Sequence, residues 1–282
     1  MLPGIDNEKA ELLTEINVEW KYEFMNSEPK TVSTPGVKKL TITVVHDTDP
    51  HQKGREADWG FAIFITGTEK TILFDTGGRF LLNSMRKLAI EPDSVDVLFL
   101  SHVHKYHPYE LGGFLKENSN VTMYLPVSFS KEFRDNTRDD GAKVIGVKKS
   151  RQICKNVYST GQLGKVIKEH SLIIRTDKGL VIVTGCAHPG IINVVNTAKE
   201  LMQDDIFLVI GGFHDENRPL PLEWATQDRK EEIISAFKQL GVRYVGPCHC
   251  SGEQVRSLFK RHYGRKYIDI STGKVITLTD IK

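Results

Sequence analysis

The stretch Val95-Asp96-Val97-Leu98-Phe99-Leu100-Ser101-His102-Val103-His104-Lys105-Tyr106-His107 sets a strand-length apolar run directly against three histidines within six residues. Such a run, with almost no polar interruption, marks a strand buried on both faces. The histidines therefore fall at the strand's C-terminal end, where open α/β sheets place their sites. In a tight turn His102 and His104 point the same way, and His107 arrives from the next turn. Three neutral imidazoles converging in this way suit a borderline ion such as zinc. The alternative, an exposed loop that happens to be rich in histidine, fits poorly with the buried strand before it.

The same pattern recurs along the chain. Thr71-Ile72-Leu73-Phe74 ends in Asp75, followed by Thr76-Gly77-Gly78. A carboxylate there can orient a ligand histidine, hold a water or simply cap the turn. The apolar run 179–184 leads to Gly185-Cys186-Ala187-His188-Pro189-Gly190. His188 reads as a ligand; Cys186 reads either as a thiolate ligand or as a small buried hydrophobe. The run 206–210 leads to Gly211-Gly212-Phe213-His214, which makes His214 a ligand or a substrate contact. Pro247-Cys248-His249-Cys250-Ser251-Gly252 opens the last helix, whose N-terminal N–H groups can receive an anion such as phosphate. Of the other histidines, His46 and His51 read as part of a solvated acidic loop, and His262 as a helix-end residue before Gly264.

Strand-like runs at 39–45, 61–65, 70–75 and 95–100 form one series, and those at 121–125, 171–176, 179–184, 206–210 and 274–278 a second. Helical spacing follows at 191–202, at 228–240 with Asp228 as N-cap and Gly241 at the end, and at 251–263. Residues 8–15 suit a short helix, and 18–24 alternate like a half-buried strand. Strands before helices, twice over, predict an α/β layered fold with two packed sheets. The polar, glycine-punctuated segment 127–165 reads as a surface insertion. No linker divides the chain, so 1–282 reads as one domain with an N-terminal extension at 1–37.

Composition bounds the rest. Hydrophobic residues are 39% and charged residues 26% of 282, an ordinary globular balance rather than a disordered one. A net charge of +2 gives no general drive toward nucleic acid or an anionic membrane. The apolar runs are far too short to span a bilayer, and the N-terminus lacks a basic start with an apolar stretch behind it. Four cysteines without a CxxC pair make neither a disulfide framework nor a zinc ribbon. Cys248 and Cys250, one residue apart, have poor geometry for a bridge. The chain reads as cytoplasmic, and a homo-oligomer is compatible with it.

These motifs resemble the metallo-β-lactamase-fold superfamily, whose hallmark is HxHxDH after a buried strand. Here it stands as His102-x-His104-x-Tyr106-His107, with LeuPheAspThrGly around Asp75. GlyCysAlaHisProGlyIle, IleGlyGlyPheHis and GlyProCysHisCysSerGly look like one subgroup, the 7,8-dihydropterin-6-methyl-4-(β-D-ribofuranosyl)-aminobenzene-5'-phosphate synthase-like proteins. The resemblance runs from about residue 38 to 282. It implies an αββα four-layer sandwich, with one metal at His102, His104 and His188 and a second at His107 and His249. Cys186 falls where many relatives keep a bridging aspartate. Tyr106 departs from the pattern: a neutral phenol stands where the family aspartate binds the second metal. One tight site and a weakened second one are therefore expected.

The resemblance implies a metal-dependent hydrolase or transferase that acts, through a metal-activated water, on a phosphate-bearing small molecule, pterin- or nucleotide-like. Zinc, manganese or iron would serve as cofactor. Asp75, His104 and His214 are the expected catalytic residues, and Lys148, Lys149 and Arg151 can add phosphate contacts. The alternative is a non-hydrolytic metal-binding or redox protein on the same fold, favoured by the cysteines and by the lost aspartate.

Overall fold

Val97 and Phe99 face one side of their strand, Leu98 and Leu100 the other, and both sides are buried. That double burial explains the apolar run, because successive side chains of a strand point to opposite faces. The computed structural model describes residues 35–48, 59–215 and 221–281. In chain order the first strands are β1 (Thr41–Asp47), β2 (Phe61–Thr66), β3 (Ile72–Phe74), β4 (Val97–Phe99), β5 (Thr122–Pro126) and β6 (Lys143–Val147). Then come β7 (Arg151–Cys154), β8 (Val157–Ser159), β9 (Leu172–Thr176), β10 (Gly179–Thr184), β11 (Ile206–Gly211), β12 (Tyr244–Pro247) and β13 (Val275–Thr277). The helices are α1 (Leu81–Lys87), α2 (Leu111–Glu117), α3 (Lys131–Asp139), α4 (Ile191–Met202), α5 (Gln227–Gln239) and α6 (Glu253–Tyr263).

One sheet has the order β13-β1-β2-β3-β4-β5-β6 and the other β12-β11-β10-β9-β8-β7. Between them lie Ile42, Phe61, Ile63, Phe74 and Phe99 of the first sheet and Leu172, Ile174, Val181, Val183 and Ile210 of the second. The outer face of the first sheet (Leu73, Leu98, Met123) is covered by Leu81, Met85, Leu111 and Phe114 of α1 and α2. Ile182, Val209 and Val245, on the outer face of the second, pack against α4, α5 and α6. This is the expected four-layer αββα sandwich. Within it β3 to β6 are parallel, as are β10 to β12. Each βα turn of these strands therefore opens at a C-terminal strand end, and the histidines sit on those turns.

Several expectations need correction. Segment 127–165 is not a surface insertion: it holds α3 and the strands β6, β7 and β8, and Val147 and Val157 enter the core. Its polar character arises because β6 and β7 are edge strands, exposed or half-buried along most of their length. Strand β12, absent from the strand series above, is an edge strand ending in Gly246-Pro247, where a proline costs no inner ladder bond. The N-cap of α5 is Thr226, whose hydroxyl accepts from the Arg229 amide, rather than Asp228. His46 lies buried in β1 rather than in a solvated loop. Contacts divide the chain into Met1–Pro35 and Gly36–Lys282, and the second unit carries this fold. The expected helix 8–15, the strand 18–24, most of the 1–37 extension and His51 lie outside the described residues.

Candidate metal centre

The turn after β4 carries His102, His104 and His107, and the turn after β10 carries Cys186 and His188. They meet. His104 Nδ1 lies 3.1 Å from His102 Nε2 and 3.0 Å from His188 Nε2. Two ligands on a tetrahedral ion with bonds of ~2.0–2.1 Å would stand roughly 3.3 Å apart, so the three nitrogens already approximate a coordination face.

Hydrogen bonding decides which nitrogen carries the lone pair. Ser101 Oγ spends its proton on Asp75 Oδ2 at 2.7 Å, so it accepts from His102 Nδ1 at 2.9 Å. His102 Nε2 is left as an acceptor. His107 Nδ1 donates to Asp75 Oδ2 at 2.6 Å, which leaves its Nε2 free 3.3 Å from Cys186 Sγ. Thr48 Oγ1 donates to Gly60 O, so it accepts from His249 Nδ1 at 3.1 Å. His249 Nε2 is buried with no hydrogen-bond partner among the described residues. In metal sites the outer nitrogen is fixed in this way so that the inner one can bind. His107, Cys186 and His249 offer ligand atoms all within 4.8 Å of one another, as do His102, Cys186 and His188.

Asp75 is fully buried, and its Oδ1 accepts from the Ser101 amide. The residue read from the sequence as catalytic stands behind His107 and Ser101, hydrogen-bonded to both. Asp47 plays a matching part, receiving the His249 amide at 2.7 Å and pairing with Arg256 at 2.9 Å. Asp75, Ala187 and His249 all have left-handed backbone, with φ of 56°, 59° and 51°. Non-glycine residues in this region cost about 1–3 kcal/mol each and gather at functional sites.

Glu169, absent from the sequence reading, anchors the Cys186 turn. Its Oε1 accepts from Thr184 Oγ1 and from the amides of Gly185, Cys186 and Ala187, and its Oε2 from the His188 amide. Its donors are mostly main-chain groups, which leave no trace in residue identity. Gly185 has to be glycine here, since a Cβ would stand 2.2 Å from Ser101 Oγ.

Burial dominates the electrostatics. It pushes the pKa of His102 and His249 far below the ordinary value and takes His188 down to about 4, with neighbouring histidines adding to the effect at His102 and His249. His104, half-buried, is lowered in the same way. These imidazoles are neutral near pH 7, the form that binds metal. Burial, then Cys250, pushes the Cys186 thiol up. The donor set therefore fits a borderline divalent ion: neutral imidazoles aimed inward, plus a thiol that ionises only against positive charge.

The remaining expected residues take up varied positions. His214 is buried with its ring 4.3 Å from that of His188, and neither ring nitrogen has a hydrogen-bond partner among the described residues. Tyr106 is half-buried at the rim, its ring 6.2 Å from Trp59 and 5.0 Å from Lys105 Nζ. Trp59 is 44% exposed beside His249. Lys148 and Arg151 are exposed at the β6–β7 turn, away from the histidines in the sheet order, and Arg151 stacks over Tyr124. The N-terminus of α6 does not await an anion, because Glu223 accepts from the amides of Gln254 and Val255. All four cysteines are free. No helix among the described residues is long and apolar enough to cross a membrane.

Comparison with known proteins agrees with the geometry. Residues 58–135 match the model of the metallo-beta-lactamase superfamily. A solved metal-dependent hydrolase of the β-lactamase superfamily superposes with a TM-score of 0.68 at 28% identity, covering 84% of this chain and 98% of its own. A metallo-β-lactamase fold protein from Bacillus subtilis, at 14% identity and TM-score 0.63, covers 85% and 99% and shares the fold. Fold, site and these matches make the chain similar to members of the metallo-β-lactamase superfamily, whose αββα sandwich it shares. The chain is also similar to 7,8-dihydropterin-6-methyl-4-(beta-D-ribofuranosyl)-aminobenzene-5'-phosphate synthase of Methanocaldococcus jannaschii. The two are 27% identical over 257 residues, 74% of this chain and 85% of the relative.

Proposed function

We propose that the chain is a metal-dependent hydrolase or transferase acting on a phosphate-bearing small molecule with a flat, pterin-like ring. The observation that carries this reading is the set of inward-facing imidazole nitrogens of His102, His104 and His188, spaced 3.0–3.1 Å about His104 Nδ1. Those residues would hold the tighter ion, and His107, Cys186 and His249 a weaker one that lacks the aspartate replaced by Tyr106. When bound, such an ion polarises a phosphoryl oxygen and lowers the pKa of its water toward roughly 7. The chain's own residues do the positioning. Ser101 keeps a proton on His102 Nδ1, Asp75 keeps one on His107 Nδ1, and Thr48 keeps one on His249 Nδ1. Trp59 and Tyr106 line the rim with apolar faces suited to a planar ring, and Lys105 brings a cation beside them. Similarity to a synthase whose name contains a pterin and a ribofuranosyl phosphate supports the substrate class, and supports transfer alongside hydrolysis.

The test is turnover of aryl phosphomonoesters and phosphodiesters by chain reconstituted with zinc, manganese or iron. Metal-dependent turnover that falls to background in His104→Ala is expected. Full metal loading with no turnover of phosphoesters or lactones would instead support the metal-binding or redox reading.

A further inference from the structure

Cys250 and His214 do not belong to either imidazole set described above, yet they converge on the same thiol. Cys186, His214 and Cys250 are all buried, and their ligand atoms lie within 4.8 Å of one another. His214 carries the strongest sign. Both of its ring nitrogens are buried without a hydrogen-bond partner among the described residues, where each of His102, His107 and His249 spends one nitrogen on a protein group. An imidazole with no partner at either nitrogen is costly to bury unless something else receives a lone pair. The backbone has also made room for the sulfur. A Cβ on Gly212 would stand 2.5 Å from Cys250 Sγ and 3.0 Å from Cys186 Cα, so any side chain there would expel Cys250 from the cluster.

We infer that Cys186, His214 and Cys250 form an additional site for a thiophilic divalent ion, with the Cys186 sulfur shared with the His107 and His249 position. Charge supports it. Two thiolates and a neutral imidazole cancel the charge of a divalent ion, so while the His107 and His249 position is empty the loaded site is neutral where it is buried, whereas imidazoles alone would leave the full charge. Loading is a ligand exchange without redox change: two thiols lose their protons to solvent and two metal–sulfur bonds form. Soft donors of this kind select zinc, cadmium or cobalt over magnesium or calcium. This site can stand without the proposed catalysis, since only Cys186 is shared and His214 and Cys250 belong to neither imidazole set.

Anaerobic titration of the metal-free full chain with cobalt(II) tests it, read by thiolate-to-cobalt charge-transfer absorbance and by metal bound per chain. Wild type is expected to bind one more ion than Cys250→Ser and to show at least about twice its charge-transfer intensity, since two thiolates rather than one would ligate cobalt. His214→Gln should weaken that same increment while retaining part of its absorbance. Equal stoichiometry and equal intensity in wild type, Cys250→Ser and His214→Gln would overturn the assignment. His102→Ala separates the two readings: it should leave the Cys250-dependent increment intact, and it would do so even if the proposed turnover were never found.

Discussion

Asp75 decides which nitrogen of His107 faces the centre. In Asp75→Asn one oxygen can still accept from the Ser101 amide, but the other position becomes an NH2 donor facing His107 Nδ1 and Ser101 Oγ. His107 is then driven to carry its proton on Nε2, toward the metal. Affinity for the second ion should fall about 10–100-fold, with the fold unchanged by circular dichroism; calorimetric metal titration measures it, and unchanged affinity would refute the positioning role. His170 gives a separate residue-scale prediction. It is fully buried, donates to Leu100 O, receives Ser159 Oγ, and burial takes its pKa down to about 3. The unfolded chain takes up a proton near pH 6.5 and the folded chain only near 3, so stability is full above 6.5 and declines below it. From pH 7 to 5 this single group should cost about 2 kcal/mol. His170→Gln keeps both hydrogen-bonding roles without the titration, so its urea midpoint should fall less over that interval. At this scale the ligands were legible because histidines and cysteines at strand ends announce themselves. Glu169, Thr48 and Asp47 were not, because what they grip is largely main chain or lies far away in sequence.

The turn Gly185–His188 has its conformation imposed from outside by Glu169. Glu169→Gln replaces one acceptor oxygen by a donor, which must then face either the His188 amide or the four donors gathered on Oε1. Hydrogen bonds to a charged acceptor contribute about 1.5–3 kcal/mol each, and an amide facing amides adds repulsion. A loss of about 3 kcal/mol in urea unfolding is expected, together with lower metal content. Wild-type stability and full loading in the variant would show that the carboxylate is only a bystander. Element boundaries show where periodicity succeeds and where it stops. Strands β4, β10 and β11, buried on both faces, are plain in the sequence as unbroken apolar runs. The edge strands β6, β7 and β12 are not, since exposure on one side, or a glycine and proline at the end, removes the pattern that marks a strand.

At the scale of the whole molecule, the proposed ligands come from both sheets. His102, His104 and His107 follow β4 of the first, while Cys186, His188 and His249 follow β10 and β12 of the second. A bound ion would therefore clamp the layers together, and its binding free energy would add to the stability of the fold. At 100-fold excess over Kd that term is about 2.7 kcal/mol. Stripping with a chelator should lower the melting temperature by about 5–10 °C, given about 2–4 °C per kcal/mol for chains of this size. Calorimetry before and after chelation, with zinc added back, measures the shift. A melting temperature indifferent to metal would mean that the histidines do not hold an ion that bridges the sheets.

The pairing of β13 with β1, Thr41 opposite Thr277, bears on how the protein is made. A ribosome emits β1 long before its outer neighbour exists, and at about 5–20 residues per second the wait is roughly 10–50 s. Throughout that interval one flank of β1 offers unpaired amides and carbonyls to any passing strand. Asp47, at the end of the same strand, meanwhile lacks both His249 and Arg256. The nascent chain thus passes through a window in which sheet edge and candidate metal pocket are open together, and both close only once His249, Arg256 and β13 have emerged.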